Sequence, residues 1–148
     1  MPLVRLIYTS ELTETCDLKS LRQILKIARE RNQNLAVTGV LCYDPQYFLQ
    51  WLEGPRDHVN NLYLSIIKDP RHTRVTLLDY REVSQRVFEK WSMAYLSMND
   101  VDKAICFKYS SGLQFNPFEM SADSAAGFIT ALAGEKDRFF SRADMDNA

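Results

Sequence analysis

The chain has 148 residues, of which 46% are hydrophobic and 25% charged, a composition typical of one globular domain rather than of a disordered or fibrous protein. Its 18 basic and 19 acidic residues leave a formal net charge of -1, which argues against a dominant electrostatic interaction with nucleic acid or an anionic membrane. No apolar run approaches the ~20 residues that span a bilayer, and the first residues lack the layout of a signal peptide. Three widely spaced cysteines indicate neither a disulfide framework nor a zinc site, so we expect a reducing, cytoplasmic location.

The first hundred residues alternate between the two-residue period of strands and the 3.6-residue period of helices. In chain order, the predicted elements are the strand LVRLIYTS, a helix capped by Asp17, the strands LAVTGVLCY and YFLQWLE, a helix opened by Gly54 and Pro55, and the strands RVTLLDYRE and SMAYLSM. The apolar stripes of the two helices are Leu18, Leu21, Ile24, Leu25 and Ala28 in the first and Val59, Leu62, Tyr63, Ile66 and Ile67 in the second. This β-α-β-β-α-β-β order predicts an α+β, ferredoxin-like sheet with two helices on one face. Its first β-α-β step predicts a parallel pair of strands.

Residues 99–148 show a different pattern, which we interpret as a small helical cap and a polar tail added to a domain of residues 1–98. A connection containing Pro and Gly follows VDKAICFKYS, and Ser121 then predicts the N-cap of a helix. The apolar residues of that helix are Ala125, Phe128, Ile129 and Leu132. The final SRADMDNA is polar, and we expect it to be frayed.

A glutamine in the middle of the strand YFLQWLE raises a question of hydrogen bonding. Gln50 shares a strand face with Phe48 and Leu52, and burying its amide without partners would cost about 1–3 kcal/mol. Tyr8 should point toward the same helix layer, so its hydroxyl is the obvious partner. Such a pair can also be purely structural, and the pattern of residues leaves both interpretations open.

Other polar positions are ambiguous in the same way. Asn32 lies where the first helix should end, a position at which asparagine usually caps the helix. Asp69, Arg71 and His72 follow the second helix, where a charge pair usually belongs to a solvated loop.

Conventional catalytic and nucleotide-binding patterns are weak in this sequence. Neither His58 nor His72 has a nucleophile at a recognisable spacing, and no nucleophile elbow is present. There is also no G-x-G-x-x-G or Walker A loop. Trp91 and Met93, in KWSMAY, are most simply core residues of the last strand.

Taken together, the runs RLIYTS, RN, TGVLCY, FLQWLEG, DPRHTRV and FEKWSMAY, in this order and spacing, closely resemble the BLUF family of blue-light sensors that use flavin. The resemblance covers residues 3 to about 98. FKYSSGLQFNPFEM followed by one helix is similar to the C-terminal cap of the short, stand-alone, PixD-like members. We therefore expect a photoreceptor without a fused output domain and without a turnover reaction.

The resemblance implies an isoalloxazine ring held between the two helices with its polar edge toward the sheet. The implied cofactor contacts are Ile24, Arg31, Asn32, Leu41, Phe48, Gln50, Ile66, Asp69, Arg71 and His72. Asn32 would hydrogen-bond the pyrimidine edge, and Gln50 would bridge Tyr8 to the flavin N5 and C4 carbonyl region. Ile24 and Ile66 would lie on the two faces of the ring. The implied cofactor is FAD, with FMN as the alternative.

The resemblance also implies a mechanism. Light would drive electron and proton transfer from Tyr8 to the flavin, after which Gln50 rotates, tautomerises or does both, and the absorption shifts to the red. Trp91 or Met93 would relay the change to a response-regulator-like partner, and a homo-oligomer is expected. Trp91 is also the expected competing electron donor, because strand alternation places Trp51 on the face opposite Gln50. Two alternatives, an acylphosphatase-like hydrolase and a pure interaction module, both predict a colourless protein.

Overall fold

The computed structural model describes residues 1–98 and 103–137, except for the side chains of Leu18, Lys136 and Asp137. The strands are β1 (Leu3–Leu12), β2 (Thr38–Tyr43), β3 (Tyr47–Pro55), β4 (His72–Glu82) and β5 (Ala94–Ser97). The helices are α1 (Leu18–Asn34), α2 (Arg56–Ile67), α3 (Lys103–Tyr109) and α4 (Ala122–Asp137), with a 3-10 turn at Pro117–Glu119 before α4. The predicted α+β fold and the order of the first seven elements are confirmed.

The five strands form one sheet in the order β4-β1-β3-β2-β5. β1 and β2 run in the same direction, but β3 lies between them and pairs antiparallel with both. The parallel pair predicted for the first β-α-β step is therefore not a pair of neighbours, and the parallel ladder joins β2 to β5. In this register Tyr8 and Leu41 both lie directly opposite Gln50.

The helix layer of α1 and α2 covers one face of the sheet, as predicted. Val4, Leu6 and Tyr8 of β1 belong to the cluster on this face, together with the stripe residues Leu21 and Leu25. The predicted N-cap of α1 is confirmed, because the Asp17 carboxylate accepts a 2.7 Å hydrogen bond from the Ser20 N–H. Its predicted stripe residue Leu18 has a side chain outside the described part of the structure.

The prediction that Ile67 belongs to the apolar stripe of the second helix is wrong. Ile67 is 47% exposed, because it is the last residue of α2 and one step of about 100° takes it past the face that Ile66 turns inward.

No helix within residues 1–98 and 103–137 is long and apolar enough to cross a membrane.

The opposite face of the sheet is covered by α4. The helix buries Phe128, Ile129 and Leu132 completely. They pack in one cluster with the strand side chains that point away from α1 and α2, including Trp51 of β3. Ser121 caps α4 by accepting from the Ser124 N–H at 3.0 Å. The predicted cap helix is thus present, while α3 was not predicted. SRADMDNA lies outside the described residues, and the division into a domain of residues 1–98 and a cap stays a prediction.

Candidate functional site

A cavity lies between α1, α2 and the helix-covered face of the sheet. Its open space, including the part that meets solvent, is about 750 Å³. All ten residues implied as cofactor contacts line it together with Tyr8. They are Ile24, Arg31, Asn32, Leu41, Phe48, Gln50, Ile66, Asp69, Arg71 and His72. Residues spread over almost fifty positions of the sequence therefore converge on one cavity.

Tyr8 and Gln50 meet at the sheet side of this cavity. The Tyr8 hydroxyl donates to Gln50 Oε1 at 2.5 Å, and both side chains are buried. Gln50 Nε2 in turn donates to the Met93 Sδ at 3.4 Å. A thioether is a weak acceptor and the amide nitrogen carries two N–H groups, so this nitrogen retains donor capacity on the cavity wall.

The protein keeps the Tyr8 phenol protonated. Burial raises the pKa of Tyr8 far above its ordinary value, the nearby Tyr63 and Asp69 raise the pKa further, and Arg31 opposes them. The ring of Tyr63 lies 5.7 Å from that of Tyr8. The protonated Tyr8 phenol is therefore the donor in its hydrogen bond with Gln50 Oε1.

Asn32 presents an unsatisfied acceptor. The Asn32 side chain is 1% exposed, and its Nδ2 donates to the Ser92 carbonyl at 3.3 Å. Its Oδ1 is buried and has no hydrogen-bond partner within residues 1–98 and 103–137. Leu35, rather than Asn32, caps α1, so the usual helix-cap role of asparagine is wrong here. An unpaired buried carbonyl costs about 1–3 kcal/mol, which a ligand N–H would remove.

The mouth of the cavity carries an ion pair. Arg71 donates to Asp69 from Nη2 at 2.6 Å and from Nε at 2.9 Å. These hydrogen bonds lower the pKa of Asp69 and raise the pKa of Arg71. Arg31 also lines the cavity, and partial burial lowers the pKa of its guanidinium. Arg31, Asp69 and Arg71 thus bring three charged groups to the cavity lining.

His72 holds the end of α2 in place. Its Nε2 bonds the Ile66 carbonyl at 2.5 Å and its Nδ1 bonds the Ser10 hydroxyl at 2.7 Å. A carbonyl only accepts, so Nε2 carries a proton and the Ser10 hydroxyl can donate to Nδ1. Both nitrogens are already hydrogen-bonded within the protein, although His72 also lines the cavity.

The structure separates the two implied relay residues. Met93 belongs to the helix-side cluster beside Gln50, whereas Trp91 lies in the opposite cluster, stacked on Phe88 at 5.5 Å. Met93 is thus the inward residue. The expectation that Trp91 is better placed than Trp51 to compete as a donor is wrong, because both lie on the far face. Strand alternation does not reach Trp91, since β5 begins only at Ala94.

Sequence reasoning missed two residues next to the cavity. Tyr95 lines it, donates its hydroxyl to the Leu25 carbonyl, and has a pKa raised by burial. The buried Arg29 guanidinium lies 4.5 Å above the Tyr95 ring. The side-chain alternation within β5 (Ala94–Ser97) gave a signal for Tyr95, whereas nothing in the sequence pattern of α1 marked Arg29 as buried.

These features coincide with a known family. The family model described as "BLUF: Sensors of blue-light using FAD" matches residues 3–94, which is more than half of the chain. The chain therefore belongs to the BLUF family of flavin-using blue-light sensors.

Two relatives and one solved structure illustrate the likeness. The chain is 30% identical over 143 residues to the blue light- and temperature-regulated antirepressor BluF of Escherichia coli, covering 93% of this chain and 35% of the relative. It is 38% identical over 92 residues to the photoactivated adenylate cyclase subunit beta of Euglena longa, covering 62% of this chain and 11% of the relative. The chain thus spans only a minor part of each. The structure of the BlsA photo-activated state superposes with a TM-score of 0.81 at 32% identity, covering 88% of this chain and 94% of that one.

Proposed function

We propose that this protein senses blue light through a bound FAD, with Tyr8 as the electron and proton donor and Gln50 as the group whose hydrogen bonds change. The observation that carries the proposal is the buried Tyr8–Gln50 hydrogen bond of 2.5 Å on the wall of the cavity between α1, α2 and the sheet. FAD is favoured over FMN because the family description specifies it.

The residues present suit a flavin. The unpaired Asn32 Oδ1 would accept from the imide N–H of the pyrimidine edge, and Ile24 and Ile66 would flank the ring. Arg31 and the Asp69–Arg71 pair at the mouth would interact with the ribityl-phosphate part. A bound flavin would supply a ring that absorbs blue light and, once excited, oxidises a neighbouring phenol.

Tyr8 and Gln50 would have different roles in the light reaction. Tyr8 would give an electron to the excited flavin, and its proton would follow to the flavin through the hydrogen bond with Gln50 Oε1. Because the two ends of a carboxamide have opposite hydrogen-bonding sense, rotation or tautomerisation of Gln50 would change which of its groups donates toward the cavity. A stronger donor toward the cofactor lowers its excitation energy, which shifts the absorption to the red.

The output is proposed to be a change in protein association rather than a turnover reaction. Gln50 touches Met93 directly, so a rearranged amide changes the contacts of the segment before β5 and biases two packing states. A response-regulator-like partner would respond to that change, and the protein itself is proposed to form a homo-oligomer in the cytoplasm. The antirepressor name of the Escherichia coli relative is consistent with an output through another protein.

An absorption spectrum before and after blue light tests the proposal. We expect the purified protein to be yellow and to show a red-shifted spectrum that decays in the dark. Tyr8→Phe should keep the flavin but lose the shift, because the phenol O–H is gone. Tyr80→Phe, on the exposed side of β4, serves as the matched control and should behave like the parent. A colourless protein after incubation with FAD, or a normal shift in Tyr8→Phe, would refute the proposal.

A further inference from the structure

The segment that carries Met93 is fixed by contacts other than the sheet ladder. The Trp91 carbonyl accepts from the Gly39 N–H at 3.1 Å, the Ser92 carbonyl accepts from Asn32 Nδ2 at 3.3 Å, and the Met93 carbonyl accepts from Arg29 Nε at 3.3 Å. These are three consecutive carbonyls with three different donors. Since the β2–β5 pairing starts at Ala94, the donors rather than the ladder set the backbone at Met93.

Arg29 is the unusual member of this set. It is a 9% exposed arginine on α1, and its guanidinium lies over the Tyr95 ring at 4.5 Å. A buried guanidinium is costly unless its N–H groups are hydrogen-bonded. Its Nε–H meets the Met93 carbonyl, and its planar face meets a residue two positions further on. Arg29 therefore holds the backbone of residues 93–95 against α1.

This arrangement determines which side chain faces Gln50. Met93 is 1% exposed, with its sulfur 3.4 Å from Gln50 Nε2, while Trp91 stacks on Phe88 across the sheet. Turning Met93 away would rotate the peptide whose carbonyl Arg29 binds. The contact with Arg29 thus opposes any repacking of Met93.

We propose that Arg29 is a positioning residue that keeps the Met93 thioether on the Gln50 amide. Its effect on a photocycle rests on the proposed function. Its effect on the position of Met93 does not, because the contacts involved lie within the protein. The two are tested separately.

The first experiment uses flavin-free protein labelled with carbon-13 in the methionine methyl groups. The Met93 methyl resonance is identified by its loss in Met93→Leu. In Arg29→Gln we expect this resonance to move or split. The matched control Arg22→Gln, an exposed arginine of the same helix, should leave it in place. If Arg29→Gln does not fold, Arg29→Lys, which keeps the charge but lacks the Nε–H, should give the same displacement. A resonance unmoved in a folded Arg29 variant would overturn the proposal.

The second experiment measures dark recovery of the red-shifted form in flavin-loaded protein. A segment held less firmly repacks over a lower barrier, so Arg29→Gln should recover about tenfold faster, equivalent to about 1.4 kcal/mol. If Arg29 acts through Met93, the double variant with Met93→Ala should recover no faster than Met93→Ala alone. Additive effects would show that Arg29 acts elsewhere and would reject the proposal. A protein that stays colourless would refute the proposed function. The methyl resonance would still test whether Arg29 positions Met93.

Discussion

The two faces of one sheet are built from the same strands and have opposite properties. On the side of α1 and α2, the alternating residues of β3 include Gln50, and the space above them is an open cavity with an unpaired Asn32 oxygen. On the side of α4, the intervening Trp51 is packed against Phe88 at 5.0 Å. The far face also buries a carboxylate, that of Glu53, which accepts from the backbone N–H groups of Val87 and Phe88.

This difference separates the face that stabilises the fold, on the side of α4, from the face that carries the candidate site, on the side of α1 and α2. The carboxylate buried on the far face has protein donors, so it fixes the connection between β4 and β5 and needs no ligand. On the helix side, by contrast, Asn32 Oδ1 has no hydrogen-bond donor among the described residues, and Asn32 lines the cavity. Among the side chains that the structure describes, each face has one buried polar atom without a hydrogen-bond partner, Asn32 Oδ1 on the helix side and Trp51 Nε1 on the far side. Only Asn32 is in the cavity lining described above, and we interpret it as part of a ligand site.

The strongest test of this contrast changes adjacent residues of β3. Gln50→Leu should bind flavin and lose the red shift completely, because a leucine has no hydrogen bonds to rearrange. Trp51→Phe, one residue along on the far face, should keep the shift and lose stability instead. The measurements are the light-minus-dark spectrum and urea unfolding. An intact shift in Gln50→Leu would remove the amide from its role.

A second variant probes the far face alone. Phe128 is fully buried and stacked on Phe115, so Phe128→Ala should lower the free energy of unfolding by about 3–5 kcal/mol. Phe107→Ala, at a 66% exposed position of α3, should change it by less than about 0.5 kcal/mol. Both are read from urea unfolding. Equal losses in the two variants would mean that α4 does not seal this face.

The unpaired acceptor on the helix side has a smaller expected effect. Asn32→Ala should raise the Kd for flavin about 5–30-fold, corresponding to about 1–2 kcal/mol for one lost hydrogen bond. Asn34→Ala, an exposed residue at the end of the same helix, is the matched control. Titration of the flavin-free protein by fluorescence measures both. An unchanged affinity in Asn32→Ala would show that its oxygen does not contact the cofactor.

The smallest effect concerns alkaline stability. Because burial raises the pKa of Tyr8 above its value of about 10 in an unfolded chain, the unfolded state binds fewer protons above that pH. The free energy of unfolding should therefore fall as the pH rises through 10, by up to about 1.4 kcal/mol per pH unit from this phenol. Urea unfolding between about pH 9 and 11 should show a shallower fall in Tyr8→Phe. Equal slopes would mean that Tyr8 ionises alike in both states.

Several features of the site were accessible to sequence reasoning because they depend on local rules. The two-residue period of β1 and β3 placed Tyr8 and Gln50 on one face, and the Asp17 and Ser121 caps are local chemistry. The resemblance to the family contributed the ten cofactor contacts, which periodicity does not reveal. The face of Trp91 could not be predicted, because it precedes β5 and follows no strand period.

Sequence alone determined the order of the elements and the shared face of Tyr8 and Gln50, since both follow from local periodicity. Only the tertiary structure decided that β3 separates β1 from β2, that Asn32 Oδ1 has no partner among the residues described, and that Arg29 reaches the Met93 carbonyl. Each of these depends on the packing of segments distant in the chain, and the burial of a charged or polar side chain is set by that packing rather than by its neighbours in sequence.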